Sequence, residues 1–178
     1  MRAKIKESAT GITGNVSIKL MKGKAVMSEK KCNNNVTLNL LIGLLSFLRG
    51  DYIAYPQSSH QYIPACLGVG GSDAELSETS AKLDSEFLSR YKNRFDAIAS
   101  KLYTSANPKS ASLVISSFIP SNTLLTTDTI REIGLFSTAT GNTLLARVVP
   151  DEAITVPAGY SLQIDWTITL GNLSTLAA

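Results

Sequence analysis

Ser161-Leu-Gln-Ile-Asp-Trp-Thr-Ile-Thr-Leu170 is the stretch from which the fold of this chain is read. Leu162, Ile164, Trp166, Ile168 and Leu170 alternate with Ser161, Gln163, Asp165, Thr167 and Thr169. Strict alternation over ten residues specifies a β-strand with one buried face, and a one-residue slip would turn every apolar side chain to water. Working backwards, Ala153 to Val156, Thr143 to Val149, Ile130 to Phe136 and Ser112 to Ile119 read as strands. Pro157-Ala-Gly159, Pro150-Asp151, Thr140-Gly-Asn142 and Pro120-Ser-Asn122 close them. Strands joined by short Gly/Pro turns, with no helix between them, predict an antiparallel sheet. The expected fold is therefore mainly β, an antiparallel β-sandwich or jelly-roll-like body that buries the Trp166 face.

The N-terminal half is more mixed. Val16, Ile18 and Leu20 alternate with polar neighbours, Lys22-Gly23 follows, and Lys24 to Ser28 returns, which predicts a hairpin. After the polar break Asn33-Asn34-Asn35, Leu38, Leu41, Ile42, Leu45 and Leu48 stand three and four apart. That spacing predicts one helix over 36–49, stopped by Gly50. Tyr52 to Ile63 is loop-like, and Pro64 to Gly71 is a short strand ending in glycines. Residues 83–103 admit two readings. Leu88, Tyr91, Phe95, Ile98 and Leu102 keep helical spacing, with Glu86 and Arg90 placed as an i,i+4 pair. Arg94 to Tyr103 also reads as an extended arm that pairs with the next strand across Ala106-Asn-Pro-Lys109. The spacing alone favours helix.

Composition narrows the function classes. The chain has 178 residues, 17% of them charged, with 21 Ser and 16 Thr. This length suits one domain with an arm, and the Ser/Thr-rich, charge-poor character leans towards β structure. One His and two Cys leave few ligands for zinc or haem and no disulfide framework. A soluble protein of a reducing compartment is expected, with Cys32 and Cys66 as thiols and the Asn15, Asn35 and Asn172 triplets as chance matches. No membrane segment is expected, because the longest apolar run, Leu38 to Leu48, is far short of the ~20 residues a bilayer needs. Residues 1–31 hold eight basic residues against Glu7 and Glu29, a net +6, so the rest carries −3 of the overall +3. The division drawn is a basic N-terminal arm and hairpin over 1–31 and a β-sandwich domain over 32–178. Such an arm suits docking on an acidic neighbour better than nucleic acid, since it lacks aromatic residues for base stacking.

Residues with chemical potential fall short of a catalytic constellation. Gly68-Val-Gly-Gly71 lacks the Lys-Ser/Thr of a phosphate loop, and a turn that redirects the chain is the simpler account. His60 and Cys66 are six apart, with no orienting third group in evidence. Asp73, Glu75 and Glu78 do not follow a calcium-loop order and read as a solvated acidic loop. Asp165 lies on the polar face of its strand, as a surface or inter-subunit contact. Arg131 and Glu132 are adjacent on a strand, so they point to opposite faces and form no catalytic pair. No catalytic, cofactor-binding or metal-binding residues are assigned, no cofactor is expected, and the chain reads as a non-enzyme.

Several of these motifs resemble a known group. Thr129-Ile-Arg-Glu-Ile-Gly-Leu-Phe136, Gly141-Asn-Thr-Leu-Leu-Ala-Arg147, Ile154 to Gly159 and Ser161 to Ile168 resemble the C-terminal half of small virion structural proteins of tailed bacteriophages. Tyr62 to Gly70, the N-terminal hairpin, the Asn33-Asn34 break and the helix ending Leu48-Arg-Gly50 are similar to other parts of such proteins, so the resemblance covers about residues 12–170. It implies a tail, baseplate, collar or head-fibre component located in the virion after synthesis in the bacterial host cytoplasm. The implied partners are copies of itself and other virion structural proteins, held through the arm and sheet edges. It also implies that 92–103 is a strand paired with 110–119, and that reading is adopted over helix. Deleting residues 1–31 is expected to leave a folded but assembly-incompetent chain. The alternative function is a host-receptor or glycan-binding, lectin-like module, with Tyr52, Tyr55, His60 and Tyr62 as its candidate contacts to a host glycan.

Overall fold

The computed structural model describes residues 12–33, 35–36, 40, 64–74, 82–87, 95–106, 109–121, 127–137 and 144–170. Eleven strands are formed there: β1 (Ile12–Lys22), β2 (Ala25–Asn33), β3 (Asn35–Val36), β4 (Cys66–Gly70), β5 (Phe95–Ala106), β6 (Lys109–Ile119), β7 (Asp128–Ile130), β8 (Glu132–Phe136), β9 (Leu144–Val148), β10 (Ile154–Val156) and β11 (Ser161–Leu170). Nine of them make one antiparallel sheet in the order β2-β1-β11-β6-β5-β4-β8-β9-β3, and β10 pairs with β7 in a small ribbon.

The alternation of β11 sets the register on both its sides. Val16 of β1 faces Trp166, and Trp166 faces Ile115 of β6. All three are at most 2% exposed. Stepping two residues, Ile18 and Ile164 repeat the pairing and fall on the same buried face. The β1–β2 hairpin turns at Lys22-Gly23, where Gly23 takes φ 61, a left-handed conformation that a side chain would resist.

β5 joins the two parts of the sheet. It pairs with β6 from Ala97 to Ala106, and its first two residues, Phe95 and Asp96, pair with Leu67 and Cys66 of β4. An irregularity between Ala97 and Ala99 separates the two pairings, and such bulges bend a strand. On the far side of β5, Leu67, Val69, Ile133, Leu135, Ala146 and Val148 join the same core as Val16, Ile115 and Trp166. Both parts of the sheet thus bury their apolar faces in one cluster, to which Ile130, Ile154 and Val156 of the ribbon contribute.

Several expectations change. Val36, the first residue of the expected helix over 36–49, instead pairs as strand with Ala146. The rest of that segment lies outside the described residues, except Leu40, which packs against the core. From Phe95 onward the helical spacing is overridden and the chain is strand, as the resemblance implied. Leu102, a member of that spacing, is 71% exposed and so is not buried on a helical stripe, and ladder pairing with β6 decides the backbone. The single strand expected over Ile130–Phe136 breaks at Arg131, whose N–H donates to Gly70 O at 2.9 Å. The N-terminal hairpin is laid into the sheet, and Val16 and Ile18 belong to the core. Deleting residues 1–31 would remove that packing, so a folded remainder is no longer expected.

Trp166 is fully buried at the centre of this packing. Trp166→Ala should lower stability by about 3–5 kcal/mol, the range for large aromatic truncations in cores. Urea titration followed by circular dichroism measures this, and a loss under about 1 kcal/mol would show that the row does not anchor the sheet.

Candidate functional site

β4, β8 and β9 are buried along their whole lengths, so a second layer must cover the face turned away from the main core. Strand alternation puts Gly68 and Gly70 on that face, opposite Gly134 and Glu132, with Arg147 opposite Gly134 on the next strand. The glycines make a trough. The Glu86 carboxylate occupies the space a Cβ on Gly68 would need, and Glu132 with the Ser85 carbonyl does the same at Gly70. Over Gly134, side-chain ends of Leu144, Phe136 and Leu83 come within 2.7–2.9 Å of where a Cβ would stand. Cys66, Leu83, Phe136 and Leu144 form a small second core here.

An ion pair ties the covering segment down. Glu132 Oε1 accepts from the Ser85 N–H at 2.7 Å and the Ser72 N–H at 3.4 Å, while Oε2 accepts from the Asp84 N–H at 3.2 Å. Arg147 Nη2 lies 2.7 Å from Glu132 Oε2, a charge contact whose angle falls outside hydrogen-bond geometry. Asp84 is 3.3 Å from the same nitrogen, and Nη1 donates to the Ala74 carbonyl at 3.0 Å. The segment also pairs with β4 directly, through Gly71 N–H to Ser85 O and Phe87 N–H to Val69 O. Both Glu132 oxygens are thus occupied by backbone donors and a guanidinium. What this arrangement does chemically is hold two loop segments, 72–74 and 84–87, against the sheet.

A second polar group lies on the outer face of β1, β11 and β6. Asp165 accepts from Lys19 Nζ at 2.7 Å, from Ser116 Oγ at 2.7 Å and from Gln163 Nε2 at 3.0 and 3.1 Å. Burial pushes its carboxyl up, but these hydrogen bonds and the Lys19 charge outweigh it and hold Asp165 below the ordinary value. The hydrogen bond to Asp165 in turn raises Lys19 above its ordinary value, against the opposing effect of burial. A third feature is a polar pocket of about 240 Å³ lined by Asn15, Lys31, Cys32, Asn33, Val149 and Asp151. Burial, with Asp151 adding to it, pushes the Cys32 thiol up, which keeps it protonated and a poor nucleophile at neutral pH.

The residues singled out in the sequence are placed as follows. Gly68 and Gly70 are strand residues rather than a turn, and close approach of Glu86 and Glu132 is the reason for glycine. Asp73 is exposed and pairs with Arg131 at 3.4 Å, whereas Glu75 and Glu78 lie outside the described residues. Cys66 is buried, while His60, Tyr52, Tyr55 and Tyr62 lie outside the described residues. Arg131 and Glu132 do point apart, one outward and one fully buried. Sequence reasoning did not identify Arg147 as the partner of Glu132. The available signal was one acid and one base, each set in a strand otherwise apolar on both faces. Among the described residues no group of three or more His, Cys, Asp or Glu is placed to hold a metal ion, and no helix is long and apolar enough to cross a membrane. Compared with family models, with curated proteins and with solved structures, the chain matches none.

Breaking the buried pair leaves an uncompensated charge, so Arg147→Met and Glu132→Gln should each cost about 3–5 kcal/mol. The double variant should cost clearly less than the sum, because the two side chains act as a unit. Additive losses in denaturant titrations would show that they are not coupled. The Lys19–Asp165 pair predicts a pH dependence with two limbs. Asp165 is lowered, so its contribution is complete above its ordinary value of 3.8 and is lost as pH falls through the folded value. Lys19 is raised, so its contribution is complete below 10.5 and is lost as pH rises through its folded value. Asp165→Asn should flatten both limbs of the stability profile, and an unchanged profile would exclude the pair as their source.

Proposed function

We propose that this protein is a non-catalytic structural subunit of a tailed-bacteriophage virion, in the tail, baseplate or neck. It assembles as a symmetric homo-oligomer and holds neighbouring virion proteins through its sheet edges and N-terminal arm. The body is read as a β-sandwich, the architecture that follows when two parts of a folded sheet share one core. The observation that carries the reading is the use made of polar chemistry. The buried acid and base, Glu132 and Arg147, are occupied in fastening loops, while the nine-residue edge strand β2 keeps one side uncovered among the described residues. A strand with a free row of backbone donors and acceptors takes another strand by addition. The motif resemblance from Thr129 to Ile168 supplies the particle in which such a subunit works.

Two measurements test this. Light scattering of the purified full chain should give one discrete oligomer, and a monomer at micromolar concentrations would remove the assembly reading. Antibody raised against the chain should label particles released from a bacterium that carries it, and particles without label would remove the virion reading.

A further inference from the structure

We infer that the open edge of β2 is a homotypic docking strand, in which Ser28–Cys32 pairs antiparallel with the same five residues of a second copy across a two-fold axis. The inference deepens the assembly reading above and rests on it. β2 lies at the end of the nine-stranded sheet and is bonded on one side to β1. Seven of its nine residues, Ala25 to Glu29, Lys31 and Asn33, are exposed, Lys30 and Cys32 are half-buried, and the strand contains no proline to block a ladder.

Register follows from face and charge. The strand has an irregularity where Met21 pairs with Val26 and Leu20 with Ser28, so Met27 is extra and the regular edge begins at Ser28. From there, Ser28, Lys30 and Cys32 sit opposite Leu20, Ile18 and Val16 on the core side, while Glu29 and Lys31 sit opposite Lys19 and Ser17 on the outer side. Directly opposed residues of an antiparallel pair share a face, so only alternate registers are open to a two-fold pair. Centring the axis on Glu29 sets two carboxylates against each other, and centring it on Lys31 opposes two ammonium groups. Centring it on Lys30 sets Glu29 against the second copy's lysine at position 31, and Lys31 against its glutamate, so two opposite-charge pairs form together. The self-facing Lys30 of that register already carries a counter-charge, since its Nζ lies 2.9 Å from Glu152 of its own chain. Lys31 is the free end of the arrangement: its side chain is 77% exposed and its contact with Glu29 of the same strand is a loose 3.9 Å. Glu29 beside the two lysines makes this strand complementary to itself in a single register, although its carboxylate also accepts from Ser17 Oγ of the same chain at 2.6 Å.

The register makes a covalent test available. Ser28 of one copy faces Cys32 of the other at roughly 4.5–5.5 Å between Cα atoms, within disulfide reach. Within one chain the same two positions are about 13 Å apart along the strand, which a disulfide does not span. Full-length Ser28→Cys, oxidised with copper–phenanthroline, should therefore give a disulfide-linked dimer on a non-reducing gel, and adding Cys32→Ser should abolish it. In parallel, Glu29→Lys and Lys31→Glu should each weaken association about tenfold or more, seen as a shift to lower mass in light scattering. The exchanged pair E29K/K31E should restore it, which a general loss of folding would not do. An oligomer that is unmoved by the charge reversals and gives no cross-link overturns this contact and leaves the assembly reading standing. A monomer at every concentration overturns both.

Discussion

The row Val16–Trp166–Ile115 is the constraint on which the remaining structure depends. Trp166 is the one tryptophan of the chain and is fully buried, so β11 cannot slip against either neighbour without exposing it. With that register held, β1 must present Val16 and Ile18 inward and Ser17 and Lys19 outward, and β6 must place Ser116 beside Asp165. The Lys19–Asp165–Ser116 group is then a consequence of the buried row rather than an independent device. Each outer-face partner is brought to its place by an apolar partner one residue away on the other face.

On the far side of β5 the physical problem changes. β4, β8 and β9 are covered on both faces, so their outward positions have to be filled without water. Glycine at 68, 70 and 134 removes side chains where the covering loops lie closest, and Glu132 and Arg147 supply charge where loop N–H and C=O groups would otherwise be unsatisfied. A buried ion pair is a weak contributor to net stability compared with apolar packing, because desolvation opposes it. Its value here is specificity: it accepts backbone donors from Ser72, Asp84 and Ser85 in one arrangement of those loops.

How much of this was legible in the sequence depended on whether a face was wet. β11 and β1 each have one solvated face, so period-two alternation marked them, and Ser161 to Leu170 is recovered to the residue, whereas β6, with Leu113-Val-Ile115 in a row, was marked by its apolar run and closing turn. β8 and β9 have none, so their runs read as apolar with one stray charge each, and nothing local says that Glu132 and Arg147 meet. β5 was misread by spacing because Leu102, one of the spaced apolar residues, is exposed, as is its neighbour Tyr103, and pairing with β6 and β4 decides the backbone. The turn assigned to Gly68 and Gly70 failed for a related reason, since glycine marks close approach as readily as a change of direction. Val36 was absorbed into a helical count although a two-residue pairing with β9 claims it.

The two ends of the nine-stranded sheet are treated unequally, and this difference ties fold to function. Among the described residues, β3 at one end contributes two residues, Asn35 and Val36, a short edge that offers little backbone to a neighbour. At the other, β2 extends over nine residues with Val26 and Met27 about half exposed and the charged run Glu29-Lys30-Lys31 following them. A chain under pressure only to remain single would be expected to protect its long edge more thoroughly than its short one. Here the one core-side charge on that edge, Lys30, is neutralised by Glu152 of the same chain. Neutralising it removes the repulsion that would otherwise guard the strand, and leaves Glu29 and Lys31 to select what is added.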